Sequence, residues 1–136
     1  MNSPSTVHPG LRDFMGRRGL PPESLRGNGR LALVIDGRYR LNFRPDIDGR
    51  LALSARVGPL PGERDSFETG QWLERMMNTG AGMLRDHAST LSIDPQGDGL
   101  LLQQSLAAHL SGEQLDAEVA EFVNALQFWV NTGKNA

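Results

Sequence analysis

The chain has 136 residues, with 14 Lys and Arg against 16 Asp and Glu, a formal charge of −2 and no cysteine. That length suits one domain spanning residues 1–136, and the missing cysteine excludes disulfides, thiolate metal sites and thiol nucleophiles. No apolar run approaches the ~20 residues of a membrane helix, and the charge balance argues against a general nucleic-acid binder. Met1 to Thr6 has neither the basic nor the apolar region of a secretory signal, so a cytoplasmic location is expected. The charge is nonetheless uneven: residues 1–66 carry 11 Arg and 7 acids, residues 67–136 carry 3 basic residues and 9 acids.

Val7, Leu11, Phe14 and Met15 recur at helical spacing, and Pro9 fits only a first turn, so a short helix is expected from His8 or Pro9. Gly19, Leu20, Pro21 and Pro22 stop it. Two turn dipeptides, Asp36-Gly37 and Asp48-Gly49, then separate three strand-like runs, a pattern that predicts an antiparallel meander. The first run, Leu31 to Ile35, is apolar throughout, which predicts cover on both faces. In the second, Tyr39, Leu41 and Phe43 alternate with Arg38, Arg40, Asn42 and Arg44; in the third, Leu51, Leu53, Ala55 and Val57 face inward.

After Gly58 to Gly62, Asp65 or Ser66 can cap a second helix whose apolar stripe is Phe67, Trp72, Leu73, Met76 and Met77. Asn78 to Gly82 invites a break, although a helix continuing through Met83 to His87 is the alternative. Thr90 to Asp94 and Leu100 to Leu106 read as two strands around the turn Pro95 to Asp98. Ser111 and Gln114 form a capping-box pattern for a last, acidic helix carrying Leu115, Val119, Phe122, Val123, Leu126, Trp129 and Val130, with Gly133 as its end. The expected fold is α+β, a twisted antiparallel β-sheet with flanking helices in the order α-β-β-β-α-β-β-α, with residues 1–6 and 132–136 flexible.

The three histidines, His8, His87 and His109, have no zinc-helix spacing and read as surface or turn residues. No phosphate-cradling loop and no nucleophile elbow is present. The sequence therefore predicts no enzyme, no catalytic residues, no metal and no cofactor. Met76, Met77 and Met83 beside Trp72, Leu73 and Leu84 read either as core filler or as an adaptable contact surface. Unpaired edges of a small sheet favour the second, since a homodimer would cover them.

The phrases Gly19-Leu20-Pro21-Pro22, Val34-Ile35-Asp36-Gly37, Arg50 to Ala55, Gly58-Pro59-Leu60-Pro61, Leu91 to Pro95 and Leu100 to Leu106, followed by an acidic helix ending Phe128-Trp129, stand in a familiar order. Over roughly residues 9–131 the chain resembles the Tir chaperone (CesT) family, the class I effector chaperones of bacterial type III secretion. The resemblance implies a cytoplasmic homodimer that binds the N-terminal chaperone-binding segment of secreted effectors and keeps it non-globular, with the secretion ATPase as a further partner. Edge-strand addition would supply backbone hydrogen bonds, with side-chain pockets around Leu11, Phe14, Met15, Leu31, Leu33, Tyr39, Leu41 and Phe43. Arg38, Arg40 and Arg44 are either holders of an acidic client stretch or a solvated face. The dimer implied by the resemblance uses Trp72, Leu73, Met76, Met77, Leu91 and Ile93. A regulatory protein of the same fold that sequesters an anti-activator, and a small ligand-binding domain, are the competing readings.

Overall fold

The computed structural model describes residues 8–136; Val7 and the 1–6 segment lie outside the described residues. His8 caps the first helix, α1 (Pro9–Arg17), by accepting the Gly10 N–H at Nδ1, and Pro9 occupies the position where a missing N–H costs nothing. Gly19, at φ 69°, takes the left-handed conformation that ends the segment.

Strands β1 (Leu31–Ile35), β2 (Tyr39–Pro45) and β3 (Leu51–Pro59) form the expected meander. Asp36 and Gly37 have φ of 55° and 67°, and the Arg38 N–H donates to the Ile35 carbonyl at 3.1 Å. Asp48 and Gly49, at 57° and 75°, repeat the device, with the Arg50 N–H donating to Ile47 at 3.0 Å. Left-handed central residues give these turns a twist that matches the strands they join. A bulge between Arg56 and Gly58 bends the far end of β3.

The second helix, α2 (Phe67–Thr79), starts where the Ser66 hydroxyl accepts the Thr69 N–H, and it breaks at Gly80. A Cβ at Gly80 would overlap the Trp129 ring, so packing against α4 requires glycine at the break. A short helix, α3 (Ala81–Asp86), follows and carries Met83. Strands β4 (Thr90–Ile93) and β5 (Gly99–Leu106) form a hairpin, and helix α4 (Gly112–Asn135) closes the chain behind a complete Ser111–Gln114 capping box. Strand order is β1-β2-β3-β5-β4 with every pairing antiparallel, so β1 and β4 are the edges.

One face of the sheet carries the core. Leu31, Leu33, Leu41, Phe43, Leu51, Leu53, Ala55, Leu100, Leu102 and Leu106 are buried together with Leu11, Phe14 and Met15 of α1 and Leu115, Val119, Phe122, Leu126 and Trp129 of α4. The Phe14 and Phe43 rings meet at 5.6 Å, which seats α1 on the meander. Gly10 and Gly112 let the starts of α1 and α4 approach: a Cβ at Gly10 would strike the Leu110 carbonyl, and one at Gly112 would strike Asp13.

Four expectations are corrected. Among the described residues strand β1 is covered on one face only, because no helix of theirs lies over its other side: Ala32 is exposed and Val34 is 57% exposed. Phe67 is not part of the α2 stripe; it sits in the helix's first turn and is 80% exposed. Gly133 does not end α4, and residues 132–135, expected to be loose, continue the helix. Its carbonyl accepts the Trp72 indole N–H at 3.1 Å, and a Cβ there would lie 3.3 Å from the Trp72 ring, so contact with α2 explains the glycine. His8, expected as a surface or turn residue, is a buried helix cap.

Candidate functional site

Two of the three histidines, His8 and His87, serve the backbone, and His109 is exposed. The His8 Nε2 lies 2.7 Å from the Ala107 carbonyl while Nδ1 accepts from Gly10, so both ring nitrogens are committed to joining α1 to the β5–α4 connection. The neutral Nε2–H tautomer satisfies both contacts. His87 repeats the arrangement after α3, with Nε2 3.1 Å from the Glu121 carbonyl and Nδ1 taking the Ser89 N–H and lying 2.8 Å from its hydroxyl. Ser89 is buried, which puts its hydroxyl beyond the reach of a substrate. Among the described residues no three His, Asp or Glu side chains gather as a cation site.

What the fold leaves available is backbone and sheet surface. Strand β1 pairs only with β2, and β4 pairs only with β5, so each offers an unpaired row of N–H and C=O groups among the described residues. Around β1 the expected pocket residues are placed differently from the sequence expectation. Leu11, Phe14, Met15, Leu31, Leu33, Leu41 and Phe43 are all buried within the protomer, and Tyr39 is half-buried under Arg38, whose guanidinium lies 5.0 Å from the ring centre. Apart from Met15, which lines a cleft of about 130 Å³ with Leu20 and Leu25, these side chains form the floor beneath the edge strand. Helix-on-sheet packing claimed them because a 9-residue helix must bury its whole apolar stripe to be stable.

Arg40 and Arg44 are exposed on the opposite, helix-free face, where Val34 pairs with Arg40 in register. Sequence reasoning missed Val34 as a surface feature. The strict alternation of the neighbouring strand was the available signal, since register carries its in–out pattern across to β1.

The residues expected to build a dimer separate into two sets. Trp72 and Met76 are buried against the last turns of α4, in the core. Leu73, Leu91 and Ile93 are half-buried, Met77 is 37% exposed, and Met83, Leu84 and Phe128 add further partly covered apolar surface. Next to Trp72, a cleft of about 400 Å³ is lined by Val57, Pro59, Leu60, Val130 and Lys134.

The sequence model of the Tir chaperone protein (CesT) family matches residues 10–130. Among solved structures, a chain of the HopA1–SchA chaperone–effector complex aligns with a TM-score of 0.67 at 21% identity, covering 90% of this chain and 91% of that one. A chain of the ExsC–ExsE complex gives 0.66 at 25% identity over 89% and 88%. The Yersinia pestis type III secretion chaperone SycH in complex with a fragment of YscM2 gives 0.63 at 20% identity over 88% and 95%. No curated protein matches the chain by sequence.

Proposed function

Since this chain belongs to the Tir chaperone protein (CesT) family, we propose that it is a non-enzymatic, cytoplasmic chaperone of type III secretion that holds an effector's N-terminal segment in extended form. The observation that carries this reading is the free edge of β1, five residues long and bearing the exposed Val34. A client strand laid against it gains backbone hydrogen bonds without needing any particular sequence, while alternate side chains choose among clients. The buried set Leu11, Phe14, Met15, Leu31, Leu33, Leu41 and Phe43 holds that edge rigid from below, so the protomer loses little order when it binds. A chain bound as a strand cannot fold on itself, which keeps it fit for hand-over to the secretion ATPase.

The working unit in this reading is a homodimer joined along α2 and β4. Leu73, Met77, Leu91 and Ile93 supply the contact, with Trp72 and Met76 backing it from inside. No helix of the described residues is long and apolar enough to cross a membrane. The reading takes support from the chaperone–effector complex among the structural neighbours.

Affinity purification of the tagged chain from its own cells tests the proposal. A secreted protein bound through its N-terminal region is the expected catch. Recovery of a transcriptional regulator or anti-activator alone would replace chaperoning by the regulatory reading.

A further inference from the structure

The helix-free face of the sheet has an unusual charge content. Among the described residues no strand contains an Asp or Glu, and the charged residues of the strands are Arg40, Arg44 and Arg56. All three are exposed and point to the same side: Arg44 pairs in register with Ala52, and Arg40 and Arg56 flank the paired Leu41 and Ala55. Arg50, just before β3, joins them and donates from Nε to the Ser105 hydroxyl at 2.7 Å. The ion pairs among the described residues are Arg17–Asp13 and Arg18–Asp116, both on helices, so none neutralises this face. Asp46 shares with Arg44, Ser54, Thr90, Gln103 and Ser105 a groove of about 300 Å³ on this face, whose lining is half apolar through Ala52, Leu53 and Ala88.

We infer that this helix-free sheet face binds an acidic, extended polypeptide segment, with Arg40, Arg44 and Arg56 meeting its carboxylates. The identification of that segment as part of a secreted client rests on the chaperone reading; the binding itself does not. Like charges on neighbouring strands repel, and an acidic partner relieves that repulsion while gaining charge-assisted hydrogen bonds. Arg40 and Arg44 stand about 13 Å apart along β2 at ~3.3 Å per residue, a spacing that an extended chain matches residue for residue. The groove's hydroxyl and amide groups suit a peptide backbone. A nucleic acid is disfavoured, because no aromatic residue stands at the outward positions to stack a base, and the chain as a whole carries −2.

Fluorescence anisotropy with a short labelled peptide of alternating Glu and Thr, beside a control with Gln for Glu, tests this. The acidic probe is expected to bind and the control not. Binding should weaken several-fold as salt rises from about 0.1 M toward about 1 M, where screening shortens to roughly 3 Å. The triple change Arg40→Gln, Arg44→Gln, Arg56→Gln should weaken it at least about tenfold, the combined loss of three exposed charge contacts. These side chains are exposed, so the variant keeps its fold, which circular dichroism confirms. Equal binding of both peptides, indifference to the triple change, or tighter binding of single-stranded DNA of equal length would overturn the inference. So would self-association abolished by the same triple change, which would assign the face to a second copy. If a natural client co-purifies equally with the wild-type chain and the triple variant, the face is excluded while chaperoning stands. If the acidic probe binds and no secreted client is ever recovered, the face stands and chaperoning fails.

Discussion

The Trp72 indole N–H donates to the Gly133 carbonyl at 3.1 Å, tying the middle of α2 to the last turn of α4. The contact accounts for a helix that runs through a glycine to Asn135. Trp72→Phe removes the donor and part of the ring, and a loss of about 1–2 kcal/mol is expected from the missing hydrogen bond and packing. Urea denaturation measures it; an unchanged midpoint would mean that the tie contributes nothing.

The split between Met76 and Met77 gives the dimer a direct test. Light scattering should report about twice the 14.9 kDa chain mass. Met77→Glu places a charge on partly exposed apolar surface and should yield a folded monomer. Met76→Glu buries a charge in the core, at a cost of several kcal/mol, and should unfold the chain instead of dissociating it. A Met77→Glu protein that stays dimeric would move the interface off α2.

His8→Ala removes the cap of α1 and leaves the Ala107 carbonyl short of a partner. The expected destabilisation is about 1–3 kcal/mol. Hydrogen exchange should then show α1 opening ahead of the sheet. Uniform protection across both would show that Phe14 and Leu11 alone hold the helix down.

At Gly80 the Trp129 ring occupies the space a side chain would need. Gly80→Ala is expected to cost about 1–3 kcal/mol by overpacking, against any gain in helix propensity. A stabilised Gly80→Ala protein would show that α2 and α3 can merge by moving the ring.

Local chemistry was readable where single residues decide it. The Asp-Gly turns, the alternation of β2, the Ser66 and Ser111 caps and the Gly19 stop all follow from φ preference, period or side-chain reach. Features set by distant partners were not readable. The placement of β5 between β3 and β4 depends on how α2 and α3 carry the chain across the sheet, and no local signal encodes that order. Gly133 looks like a helix stop until Trp72 is seen against it, and His8 looks like a surface or turn residue until Ala107 arrives from the other end of the chain. For the site, the free edges were legible from a meander that lacks closure. Which apolar residues remained accessible was not, because helix and edge strand compete for the same side chains.

The absence of carboxylates from every strand of the described residues also limits how copies of the protein can meet. Two molecules approaching front to front would bring guanidinium against guanidinium and be pushed apart. Stacking through that side is thereby penalised at low ionic strength, where the exposed charges are least screened.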